Sequence, residues 1–293
     1  MSTSTRTLRH AAAGLLAAAA TAAATAAAQG TALPSEVAPN ATPSAAGRPT
    51  IVLVHGAFAD GSAWARVIPL LERAGYPVVA VQNPLTSFDA DVATTRRALD
   101  AQPGPVVAVG HSYGGAVITQ AAAGSDRVRA LVYVAAFAPD AGETVGGRWG
   151  EHPAPMAQAL VTDAAGFVAL DRAKLRDVFA RDVPEAETRV MAATQKPIHG
   201  SAFQATLTAA AWRQLPSWFL VAAEDRSISP DLLRFYARRA SGATPGGATA
   251  EVASSHVPFL SHPAEVARVI AQAASAATAP RTRVGRGAAA TRP

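Results

Sequence analysis

Short apolar runs alternate with amphipathic stretches from residue 50 to residue 276, and this rhythm limits the fold more than any single motif. Residues 50–54, 77–81, 105–109, 128–134 and 217–222 are mainly apolar runs of five to seven residues. Runs of that kind suit strands buried on both faces. Between them, residues 62–74, 88–101, 114–123, 230–239 and 263–276 carry helical patterns, and a weaker strand falls at 248–252. Such alternation predicts an α/β fold with a mostly parallel sheet and helices on both faces. In folds of this kind the ligand sits beyond the carboxyl ends of the strands, so chemistry is expected in the loops that follow them.

One segment breaks the rhythm. Residues 139–211 offer helix-like pieces at 164–180 and 185–194 and no convincing buried strand. A crossover between parallel strands needs only about a dozen residues. The excess predicts a helical cap over the site, inside a domain spanning 49–278.

The ends read differently. Residues 1–28 have a basic start, an Ala-rich stretch and Ala26-x-Ala28 before Gln29, the pattern of a cleaved export signal rather than a stable membrane anchor. Residues 29–48 are rich in Ala, Pro, Ser and Thr and read as a flexible linker; residues 279–293 read as a disordered basic tail. A secreted protein is expected, extracellular or periplasmic. The net charge of +5 comes from residues 1–28 and 279–293: they hold six of the 26 basic residues and no acid, so 20 basic residues face 21 acidic ones elsewhere. That balance argues against a nucleic-acid partner. With no cysteine, a catalytic thiol, a disulfide framework and Cys-ligated metals are excluded. No P-loop and no tight metal-ligand cluster appears, so neither metal nor cofactor is expected.

The strongest chemical signal is Gly110-His111-Ser112-Tyr113-Gly114, between an apolar run and an Ala-rich helix. This is the context of a nucleophile elbow, in which a tight turn lifts a serine hydroxyl above the sheet at a helix N-terminus. A serine needs a base to take its proton. Of the seven histidines, His10 falls in the signal, His55 and His111 sit within backbone motifs, and His152 and His199 fall in the cap. His256, in the loop after the last weak strand, is the chosen base, with His262 in reserve. The base needs an acid, and Glu224 and Asp225 both follow the run 217–222. Asp225 lies deeper in the loop and is the choice. Donors for a developing oxyanion are expected at the N–H groups of Tyr113 and Ala57, with Phe58 as second choice. Phe58, Phe137 and Trp212 are candidates for the substrate pocket.

These residues resemble the α/β-hydrolase superfamily over about residues 50–275, and more narrowly the branch of small bacterial esterases, plant methylesterases and hydroxynitrile lyases. The matching segments are His55-Gly-Ala-Phe58, Gly110-His-Ser-Tyr-Gly-Gly115, Ala135-Ala-Phe-Ala-Pro-Asp140, Glu224-Asp225 and Ser255-His-Val-Pro-Phe259. The resemblance implies a Ser112–Asp225–His256 triad, Ala57 and Tyr113 as oxyanion donors, a helical cap and no cofactor. Related hydroxynitrile lyases carry lysine after the catalytic histidine and threonine after the first strand's histidine; here these positions are Val257 and Gly56. The expected function is a serine hydrolase cleaving carboxylic esters of small to medium size, with a small-molecule ester as its only expected partner. The alternatives are a cofactor-free perhydrolase or lyase on the same triad, and a non-catalytic binding protein on the same fold.

Overall fold

The structure, a computed structural model, describes residues 47–278. The export signal expected at 1–28, nearly all of the linker and the basic tail lie outside the described residues. No helix of the described residues is long and apolar enough to cross a membrane.

The strands, in chain order, are β1 (Thr50–Val54), β2 (Val78–Val81), β3 (Val106–His111), β4 (Val128–Val134), β5 (Leu160–Thr162), β6 (Phe167–Leu170), β7 (Ile198–His199), β8 (Ser217–Ala222) and β9 (Ala248–Val252). The helices are α1 (Ile68–Arg73), α2 (Phe88–Asp100), α3 (Tyr113–Ala121), α4 (Leu175–Phe179), α5 (Glu185–Thr194), α6 (Pro230–Ser241), α7 (Pro258–Ser261) and α8 (Pro263–Ala277). Six strands form one parallel sheet in the order β2-β1-β3-β4-β8-β9. Helices α1 and α8 cover one face; α2, α3 and α6 cover the other. Both faces are thus closed, which is why β1 and β3 are buried at every residue and need no polar alternation.

The register fixes where the loops meet. Val54 pairs with Gly110, so the loop after β1 runs beside the turn after β3. Ala222 pairs with Val252, so the loops after β8 and β9 leave the sheet side by side. The chain order reverses between β1 and β3, and the crevice of a doubly wound sheet opens at such a switch point.

The segment 139–211 forms the cap, but helices are not all of it. Strands β5, β6 and β7 make a small antiparallel sheet. The single helix expected at 164–180 is corrected: Phe167–Leu170 is strand β6, and only Leu175–Phe179 is helical. The Asp163 carboxylate accepts from the N–H groups of Ala165 and Phe167, and Gly166 takes φ +84°. The chain therefore turns back on itself, and β6 alternates half-buried and buried side chains, the period of a strand. The helix expected at 62–74 is shortened as well. Pro69 has no N–H and its ring would clash with the carbonyl of Ala65, so a 3₁₀ turn at Gly61–Trp64 precedes a separate α1.

Candidate active site

Ser112 sits between the last residue of β3 and the first of α3, with φ +52° and ψ −123°. A residue with a Cβ in that region costs about 1–3 kcal/mol of strain and persists only where its surroundings enforce it. Here they do. The Ser112 N–H donates to the Val134 carbonyl at 3.3 Å, and its own carbonyl accepts from Gly115 and Phe137 at 3.0 and 3.1 Å. The turn can close because Gly110 and Gly114 lack side chains. A Cβ on Gly110 would stand 2.5 Å from the Gly114 carbonyl oxygen, and one on Gly114 2.6 Å from the carbonyl oxygens of Val54 and His55.

Asp225 lies in the loop after β8, 4% exposed, whereas neighbouring Glu224 faces solvent. Asp225 Oδ1 accepts from the N–H groups of Ser227 and Ile228 at 2.7 and 2.9 Å. Its Oδ2 meets His256 Nδ1 at 2.7 Å. His256 is completely buried, and its Nε2 has no hydrogen-bond partner. With Nδ1 held by a carboxylate, the proton of the neutral ring belongs on Nδ1, and Nε2 presents a lone pair. Ser112 and His256 are not hydrogen-bonded to each other; such contacts commonly tighten only when substrate is bound. The two loops are tied together by His111, the chain neighbour of Ser112. Its ring lies 4.7 Å from the His256 ring, and its Nε2 donates to the His256 carbonyl at 2.9 Å. Burial, helped by the nearby His256, pushes the His111 pKa well down, so this ring stays neutral. His262, the reserve base, pairs with the Ser261 hydroxyl at the start of α8.

The loop after β1 is held by His55. Its Nε2 accepts from the Asn83 N–H at 3.0 Å, so Nδ1 carries the proton and donates to the Gly56 carbonyl at 2.9 Å. Burial keeps this ring neutral too. Beyond it, Phe58 takes φ +64°. Among the described residues the N–H groups of Ala57 and Phe58 find no acceptor, and Tyr113 N–H opens α3, where a helix has no partner of its own to offer. The Tyr113 side chain is an anchor rather than a wall of the site: its hydroxyl donates to the buried Asp91 at 2.7 Å.

A cavity of about 460 Å³ opens between core and cap, lined by Phe58, Phe179, Val190, Met191, Val257 and Phe259 among others. Ser112 and His256 do not line it. Phe179 forms the shared wall, since it lines the cavity and also packs on the His256 ring at 4.9 Å. Of the expected pocket residues only Phe58 is there. Phe137 and Trp212 are corrected: both are 2% exposed and belong to the packing beneath the cap. Phe137 stacks edge-on with Trp149 and Tyr236. Trp212 donates to the Pro139 carbonyl and lies under the guanidinium groups of Arg213 and Arg239. An aromatic residue near a strand end reads alike in sequence whether it faces substrate or core. Phe179 was missed because it sits in a cap helix with no motif of its own. Among the described residues no cluster of His, Asp and Glu could hold a metal ion.

The model of the alpha/beta hydrolase family matches residues 51–269. "Alpha/beta hydrolase nvfD" of Aspergillus novofumigatus is 28% identical over 251 residues, covering 78% of this chain and 98% of its own. The solved structure of a pyrethroid hydrolase superposes with a TM-score of 0.65 at 25% identity, over 78% of this chain and 98% of that one. A methylesterase from Arabidopsis, 20% identical, shares the fold with a TM-score of 0.63 over 78% and 99% of the two chains.

Proposed function

Because the chain belongs to the alpha/beta hydrolase family, we propose that it is a serine esterase that cleaves carboxylic esters through an acyl-enzyme. The observation that carries this reading is the buried Asp225–His256 contact, with an unpartnered Nε2, tied through His111 to a strained Ser112 at a helix N-terminus. His256 Nε2 takes the Ser112 proton as the hydroxyl oxygen attacks the acyl carbon. Asp225 holds the imidazolium that forms. The carbonyl oxygen becomes an oxyanion and rests on the N–H groups of Ala57 and Tyr113, each such donor being worth about 10²–10³ in rate. The tetrahedral intermediate collapses, His256 gives its proton to the departing alcohol, and water repeats the sequence on the acyl-enzyme.

The cavity points to the class of ester. Its walls are chiefly aliphatic and aromatic, and the charged residues in its lining are Asp60 and Glu187. An uncharged, apolar acyl or alcohol group suits such walls, whereas an anionic substrate would meet like charge. The name of the pyrethroid hydrolase relative agrees with an ester substrate, and Val257 in place of a lysine leaves nothing beside His256 to hold cyanide. The Ala-x-Ala pattern before Gln29 supports export as the setting.

The test uses p-nitrophenyl esters of two to twelve carbons with the chain and with Ser112→Ala. The expected result is turnover by the unaltered protein and a fall in kcat of about 10⁶-fold in the variant. No turnover, or equal turnover by both, refutes the reading.

A further inference from the structure

The residues flanking the Asp225–His256 pair are fastened to the cap. Ser227, two residues after the acid, is fully buried. Its N–H is one of the two that Asp225 Oδ1 accepts, and its hydroxyl donates to the Val178 carbonyl at 2.7 Å. Ser255 directly precedes the base. Its N–H donates to Asp182 Oδ2 at 3.0 Å, and its hydroxyl donates to Asp182 Oδ1. The Phe179 carbonyl lies 3.3 Å from the same hydroxyl. Three residues of one short cap stretch, Val178, Phe179 and Asp182, thus reach the two loops.

The chemistry of this stretch explains why it can do so. Val178 and Phe179 end α4, and the last carbonyls of a helix have no partner within it. They are free to accept from the serines of the two loops. Asp182 follows, with its two oxygens spread over the N–H and the hydroxyl of one residue. Burial raises the pKa of this carboxyl, but the Ser255 hydroxyl and N–H, joined by Ser261, outweigh it and hold the group below the usual range. The carboxylate is therefore charged at neutral pH, when such hydrogen bonds are strongest. An imidazole whose backbone is gripped one residue away has little freedom to swing from the serine. A misplacement of about 1 Å at such a group costs about 10²-fold in rate.

We propose that Asp182 is a positioning residue, which sets the stance of the His256 imidazole through Ser255 and so makes the alignment of the base depend on the seating of the cap. The kinetic consequence rests on the esterase reading; the structural one does not.

Asp182→Ala removes both acceptors. With p-nitrophenyl butyrate, and with active sites counted by fluorophosphonate titration, kcat is expected to fall about 10- to 100-fold while KM stays within about twofold. Asp182→Asn can keep both contacts, its oxygen accepting from the Ser255 N–H and its amide donating to the Ser255 oxygen. It is expected to return kcat to within about threefold of the unaltered protein. The substrate-free readout is the low-field proton resonance of the His256 Nδ1–H bonded to Asp225. It is expected to shift or broaden in Asp182→Ala and to be restored in Asp182→Asn. Unchanged kcat per titrated site in Asp182→Ala, even in a protein that melts earlier, overturns the proposal; so does an unmoved resonance. Should the unaltered protein cleave no ester, the esterase reading fails by itself, and the resonance alone decides the role of Asp182.

Discussion

The two halves of the site are built by different means. The nucleophile half lies over β1, β3 and β4 in the middle of the sheet. Its restraints are backbone against backbone: the Ser112 carbonyl accepts from Gly115 and Phe137, and the glycine at 114 lies against the carbonyls of Val54 and His55. The base half hangs from β8 and from β9, which is the sheet's edge strand and is largely exposed or half-buried. Its restraints are side-chain hydrogen bonds, from Asp225 to its own loop and from Ser227 and Ser255 to the cap. A close-packed centre tolerates the strained dihedrals of Ser112 because nothing around it can relax. An edge lacks that support, and its geometry is stitched by polar side chains.

That contrast makes the base half the place where a change can abolish chemistry without touching structure. Asp225→Asn keeps the shape of the carboxylate. Its amide oxygen can still accept from Ser227 and Ile228, which turns the NH₂ toward His256 Nδ1. Two donors cannot face each other, so the ring must move its proton to Nε2, the atom that in the proposed mechanism receives the serine proton. The expected loss is about 10⁴-fold in kcat at neutral pH, with an unchanged melting temperature. Steady-state kinetics beside a thermal melt checks it. A loss below about tenfold would mean that the bond to Asp225 does not select the tautomer.

The same contrast explains what could be read from sequence. The central strands are legible because a strand covered on both faces must be apolar throughout, as 50–54 and 105–109 are. The elbow is legible because only glycines fit at 110 and 114. The meeting of Asp225 and His256 is legible from their places after strands, since parallel register brings such loops together. The cap was not legible in detail. The strand at Phe167–Leu170 is too short for its alternation to stand out, and its cause is a turn made by the Asp163 side chain. Nor does any local pattern announce Asp182, whose partner Ser255 lies 73 residues away. Phe137 and Trp212 mislead for a related reason: composition tells that a ring is buried, not on which side of a loop.

In the nucleophile half, by contrast, a small steric change should disturb fold and chemistry together. Gly114→Ala places a methyl 2.6 Å from two backbone carbonyl oxygens of the β1 end, neither of which can rotate away. Overpacking of this kind costs about 1–3 kcal/mol. The strain also pushes on the loop that carries Gly56 and Ala57. Urea unfolding should report the lost stability, and the same preparation should show a lower kcat per titrated site. A variant with unaltered stability would mean that the β1 end yields freely, and the distinction between a rigid centre and a stitched edge would fail.

The smallest expected effect concerns a charged brace of the nucleophile half. Arg239 donates to the Ala138 carbonyl at 2.6 Å and to Glu143 at 2.8 Å, and Arg148 meets the same carboxylate. These contacts hold the chain where it leaves β4, just past Phe137, whose N–H supports Ser112. Burial opposes ionisation of Glu143, but Arg239, the Asp140 N–H and Arg148 prevail and hold its carboxyl down at about 2, against 4.5 when free. A depressed pKa stabilises the fold above the free value and loses that contribution as pH falls through the depressed one. The Glu143 side chain is 23% exposed, so solvent screening reduces the effect to about 1–2 kcal/mol. The melting temperature should therefore decline between about pH 4.5 and pH 2, and less so in Glu143→Gln than in the unaltered chain. Equal declines would place the acid sensitivity elsewhere, and would leave the nucleophile half held without help from Glu143.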